Sequence, residues 1–91
     1  MQLEAPKNVV LTNKGKNVNA KWDADKFAAG YQVRYVIYDK YGRKKTATPK
    51  VVTAKKNKYT IKGLAGGEYV NVSVRAYTSK KIYSEWTAEK E

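Results

Sequence analysis

The chain has 91 residues, 42% of them hydrophobic, which is enough for one folded domain spanning 1–91. Nineteen Lys and Arg against eight Asp and Glu give a net charge of +11, which favours anionic partners but says nothing about the fold. The absence of Cys and His excludes a disulfide framework and removes the commonest general base and metal ligand.

Hydrophobic residues recur with a period of two almost throughout, the pattern of half-buried strands. The first run carries Val9 and Leu11 after Pro6, and a turn follows at Asn13-Lys14-Gly15-Lys16. The second alternates Val18, Ala20 and Trp22 with polar residues. Asp25 to Gly30 reads as a loop, with room for one short helical turn over Lys26-Phe27-Ala28-Ala29. The third run is the strongest, with Tyr31, Val33, Tyr35 and Ile37 on one face and Gln32, Arg34, Val36 and Tyr38 on the other. Asp39-Lys40-Tyr41-Gly42 then reads as a hairpin turn.

A fourth strand from Lys44 to Ala54, interrupted by Pro49 and rich in Lys, fits a sheet edge. Tyr59, Ile61 and Leu64 form a fifth short run, and Gly66-Gly67 a tight turn. In the sixth, Val70, Val72, Val74 and Ala76 alternate with Tyr69, Asn71, Ser73, Arg75 and Tyr77. The last strand is expected around Tyr83 to Ala88 and carries Trp86. Seven short strands separated by regular turns predict an all-β, antiparallel two-sheet sandwich. The expected core is Trp22, Tyr31, Val33, Tyr35, Ile61, Leu64, Val70, Val72, Val74 and Trp86, with one tryptophan from each sheet.

Five fragments, in order, resemble a fibronectin type III domain over Ala5 to Ala88. These are Pro6 with Val9 and Leu11; Trp22-Asp23; Gly30-Tyr31-Gln32-Val33-Arg34-Tyr35; Leu64 followed by Val74-Arg75-Ala76-Tyr77; and Tyr83-Ser84-Glu85-Trp86-Thr87. The last is similar to the closing motif of bacterial members. The resemblance implies an immunoglobulin-like sandwich of seven strands. It departs at one place: the tyrosine that the family sets at the corner before its sixth strand falls here on Val70, with Tyr69 one residue early. Either Val70 faces inward and the corner is lost, or a bulge lets Tyr69 take the role; strict alternation favours Val70 inward.

The resemblance further implies a non-catalytic module, a spacer or structural domain of a larger secreted or wall-associated protein, without cofactor and acting as a monomer. Neighbouring domains of that protein would be its partners. The N-terminus, Met1-Gln2-Leu3-Glu4-Ala5-Pro6, has no basic-then-apolar pattern, so an export signal would lie elsewhere in a longer chain. No apolar run nears the roughly 18 residues needed to cross a bilayer as a helix, so no membrane insertion is expected. Asp23 and Asp25 read as turn formers rather than cation ligands, for no further acidic cluster lies near them.

The one candidate site is a face. With Val33, Val72 and Val74 inward, Arg34, Tyr38, Arg75 and Tyr77 point outward on two strands that the resembled fold makes neighbours, with Tyr41 and Tyr83 at the margins. Arg pairs with carboxylate or phosphate, and Tyr offers a flat surface with a polar tip. Such a basic-aromatic face suits an anionic polysaccharide, a cell-wall polymer or a protein. Nucleic acid is a weaker fit, since most of the lysines are scattered over turns and edges. The alternative is cross-strand packing of Tyr and Arg that stabilises the face itself.

Overall fold

The computed structural model describes residues 3–45 and 48–87. Among the described residues there are six strands: β1 (Val10–Lys14), β2 (Asn17–Lys21), β3 (Gly30–Tyr38), β4 (Lys50–Ala54), β5 (Lys58–Ile61) and β6 (Tyr69–Tyr77). They form two antiparallel sheets, ordered β1-β2-β5 and β4-β3-β6. The period-two pattern dictates this layering. Each strand is apolar on one face, and two sheets bury those faces against each other.

Between the sheets lie Val18, Ala20, Trp22 and Ile61 from the first, and Tyr31, Val33, Tyr35, Val70, Val72, Val74 and Ala76 from the second. Leu64 joins them from the loop after β5, and Leu3, which no alternation signals, from the N-terminal segment. Trp22 anchors the centre. Its ring meets Tyr31 edge-on at 5.4 Å, and its backbone is tied to Asn57 by hydrogen bonds of 3.2 Å and 2.8 Å. The Tyr31 hydroxyl accepts from the Asp25 N–H at 2.7 Å, so a core side chain also fixes the β2–β3 loop.

That loop contains a plain turn rather than the helical turn expected over Lys26–Ala29. The Asp25 carboxylate accepts from the Phe27 N–H at 2.8 Å and the Asp25 carbonyl from the Ala28 N–H at 3.1 Å. Asp23 accepts from the Asn8 side chain at 2.7 Å. Both acids are therefore occupied in shaping the loop.

Val70 is buried, and Tyr69 points outward, stacked on Tyr38 at 5.1 Å with ring planes 10° apart. β3 and β6 pair without interruption from Gly30↔Tyr77 to Tyr38↔Tyr69, so no bulge brings Tyr69 into a corner. The fourth strand is shorter than expected. Lys44 forms an isolated bridge to Tyr38, and regular pairing with β3 resumes only at Lys50, after Pro49. Thr46 and Ala47 lie outside the described residues.

The seventh strand is also a correction. Tyr83–Thr87 runs along β6 but meets it as a regular bridge only at Tyr77↔Tyr83. Side-chain hydroxyls replace the carbonyls that a ladder would use. Ser84 Oγ accepts from the Ala76 N–H at 2.9 Å, and Thr87 Oγ1 from the Val74 N–H at 3.0 Å. The Ser84 and Thr87 N–H groups donate to the Ala76 and Val74 carbonyls, each at 2.9 Å. Ala88, the expected end of that strand, lies outside the described residues.

Away from the core, the β3–β4 and β5–β6 turns are clamped by an ion pair between Lys45 and Glu68. Its lysine hydrogen bond, then the bond from the Ala65 N–H at 2.7 Å, holds the Glu68 carboxyl below the usual carboxylate range. A lowered carboxyl pKa stabilises the fold above the unfolded-state pKa and loses that effect as pH falls through the folded value. Glu68→Gln is thus expected to lower denaturant stability at pH 7. The difference from the parent chain should shrink through acid pH, starting near the ordinary Glu value of about 4.3. A gap that stays constant from pH 7 to pH 3 would contradict this.

Candidate functional site: the outer face of the second sheet

β3 and β6 are each nine residues long and fully paired, which fixes the outward face residue by residue. Gln32 lies opposite Arg75, Arg34 opposite Ser73, Val36 opposite Asn71, and Tyr38 opposite Tyr69. All four residues of the candidate site are on this face, but they do not converge. Tyr38 lies six residues along β3 from the Gln32–Arg75 pair, about 20 Å at the usual strand rise. It belongs to the Tyr38–Tyr69 stack at one end of the face. Tyr77 lies at the other end, opposite Gly30. A Cβ at Gly30 would come within 2.5 Å of the Tyr77 hydroxyl, so the ring occupies the space the glycine leaves.

Arg34 and Arg75 do converge, on a residue that sequence reasoning placed elsewhere. Trp86, expected in the core, is only half-buried and stands on the outer face. The Arg34 guanidinium lies 4.4 Å from its ring centroid and that of Arg75 4.6 Å. Arg75 is also 4.0 Å from the Tyr83 ring, and its Nε–H donates to Gln32 Oε1 at 2.7 Å. Tyr83 packs on Tyr77 at 6.1 Å, and Lys81 Nζ lies 5.0 Å from the Tyr77 ring. Cations and rings thus alternate from Arg34 to Tyr83, and Tyr77 and Lys81 extend the row.

Three segments build this ladder. β3 and β6 supply Arg34, Arg75 and Tyr77; the hydroxyl-locked segment after β6 supplies Tyr83 and Trp86. Val36 and Ser73 show the result, since both point outward yet are only 7% and 1% exposed. The face is covered, not open. Each guanidinium–ring contact contributes about 0.5–1 kcal/mol where exposed and about 2 kcal/mol or more where desolvated. The stacking occupies the flat faces of the guanidinium groups, while bidentate pairing with an anion uses their edges. Among the described residues, neither arginine is in an ion pair.

Sequence reasoning set Tyr83 only at the margin of this face, and missed Gln32 and Trp86 as members of the site. Strict alternation separates 83 from 86, because residues an odd number apart fall on opposite faces. Both nonetheless stack on Arg75. The available signal was the pair of hydroxyl residues, Ser84 and Thr87, flanking the tryptophan.

The fold has close counterparts among solved structures. The chain superposes on the third fibronectin III domain of human KIAA0343 protein with a TM-score of 0.75 at 17% identity, covering 99% of this chain and 80% of that one. An Fn3-like protein from Clostridium thermocellum gives a TM-score of 0.68 at 21% identity, covering 93% and 85%. An FN3 domain of human collagen XX gives 0.67 at 17% identity, covering 97% and 92%. No family model matches the sequence, and no curated protein is similar to it at a significant level.

Proposed function

We propose that this chain, having the fibronectin type III fold, serves as a non-catalytic structural module, a spacer within a larger extracellular protein. One observation supports this above the others: the side chains that looked available for a partner are engaged with one another. Arg34 and Arg75 brace Trp86, and Tyr77 fills the space beside Gly30. Neighbouring domains of the parent protein are its expected partners, and no cofactor is needed for such a role.

A second reading keeps the face as a binding site for anionic carbohydrate, wall polymer or protein. It draws on the absence of an ion pair at either arginine among the described residues, which leaves their charge for an anionic partner. One experiment separates the two readings. For the structural reading, Arg34→Gln with Arg75→Gln should cost about 1–2 kcal/mol and lower Tm by roughly 5–15 °C, measured by thermal unfolding. For the binding reading, the double variant should keep its Tm and lose capture of an acidic polysaccharide. An unchanged Tm would overturn the structural reading.

A further inference from the structure

We propose that the end of the sandwich formed by the β1–β2, β3–β4 and β5–β6 turns is a docking surface for a linear anionic polysaccharide. The topology brings these three turns together. The Leu64 N–H donates to the Lys16 carbonyl at 2.9 Å, joining the first turn to the third. A Cβ at Gly67 would meet Lys40 Cβ at 2.9 Å, and Lys45 pairs with Glu68, so the third turn also abuts the second.

On this end Lys14, Lys16, Lys40, Arg43, Lys44 and Lys62 are all exposed. The two carboxylates present offset only part of this charge. Glu68 is committed to Lys45 and the Ala65 N–H. Asp39 accepts from the N–H groups of Tyr41 and Arg43, both at 2.9 Å, which pins the turn. Gly42 closes that turn at φ +82°, a conformation that glycine adopts without strain. Tyr41 is left projecting, 73% exposed, in the turn that follows Tyr38 and its stack on Tyr69.

The chemistry of the patch selects the partner class. Lysine dominates, and an ammonium is a point charge without the planar fork that demands a bidentate partner. Charges dispersed over three turns match a chain with sulfates or carboxylates at intervals. The tyrosines add phenolic hydroxyls, which both donate to and accept from sugar hydroxyls without needing a free ring face. Single-stranded nucleic acid wants free ring faces for successive bases. Here Tyr38 and Tyr69 cover each other, and Lys40 lies 5.2 Å from the Tyr41 ring. A bilayer wants apolar side chains to insert, whereas the exposed Phe27 and Ile82 are on loops at the opposite end.

The opposite end provides the control: Lys55 and Lys56 are exposed on the β4–β5 turn and Lys80 on the loop after β6, and Glu4, Asp23 and Asp25 line a groove on that end with Leu3, Pro6 and Phe27. Two triple variants remove equal charge, Lys16→Gln/Lys40→Gln/Lys44→Gln and Lys55→Gln/Lys56→Gln/Lys80→Gln. The probe is heparin, with affinity measured across a salt series and folding checked by circular dichroism. The first triple is expected to weaken binding about tenfold or more and flatten the salt dependence; the second, less than about threefold. Tyr41→Ala should weaken binding severalfold and leave the salt dependence unchanged. The proposal is overturned by equal losses in the two triples, or by absence of heparin binding at low salt. It is equally overturned if single-stranded DNA or phosphatidylserine vesicles bind as tightly at this end. Its failure would leave the structural-module reading standing.

Discussion

Trp22→Ala is expected to cost about 3–5 kcal/mol, measured by denaturant unfolding, and to leave much of the population unfolded at 37 °C. The indole is 1% exposed and is the largest fully buried side chain. Its removal withdraws the edge-on partner of Tyr31, and Tyr31 in turn holds the β2–β3 loop through Asp25. The cavity would open at the meeting of the two sheets, where β-strands paired on both sides have little freedom to collapse inward. A domain of 91 residues with no disulfide depends heavily on this core. Trp22→Phe separates volume from contact, since it keeps a ring against Tyr31; a loss under half that of the alanine variant is expected. If alanine costs under about 1 kcal/mol, Trp22 is not the anchor described above.

Trp86→Ala is expected to cost about 2–4 kcal/mol, although the residue is outside the core. Two guanidinium groups lose their shared ring, and the buried Val36 and Ser73 gain access to water. The loss should be strongly coupled to the arginines. Once Arg34 and Arg75 are already glutamine, the same Trp86→Ala change should cost about 1–2 kcal/mol less, in a double-mutant cycle on unfolding free energy. Additive costs would mean that the indole acts by burial alone. The indole fluorescence should also shift toward the value for exposed tryptophan when both arginines are removed.

The elements that the sequence made legible are those that obey alternation. In β3 and β6 every second residue is apolar, and the inner and outer faces follow at once. Nine of the ten expected core residues are buried, six of them on these two strands for this reason, and the choice of Val70 over Tyr69 rests on the same rule. Trp86 broke it. Alternation treats a large aromatic near a strand end as a core residue, but here the strand is held by serine and threonine hydroxyls. Their bonds leave the backbone outside the regular ladder and free the tryptophan to lie across the outer face. Cation–ring pairing between segments distant in sequence has no local signature, so the covering of the candidate face could not be read from residue order. The loop-end patch was dispersed for the same reason: its lysines are far apart in sequence, and only the turn-to-turn contacts unite them.

The hydroxyl-locked segment has a mechanical consequence. Leu3 lies beside the β2–β3 loop, whereas the chain at Thr87, level with Val74, is heading along β6 toward the other end. A pull applied through those two points runs lengthwise along the strands. It loads the four bonds of Ser84 and Thr87 together, in shear, rather than parting them one at a time. The folded body is 43 Å long, and the same 91 residues drawn out would reach about 300 Å. A row of such modules would therefore hold its spacing under modest tension and store several times its own length against a larger one.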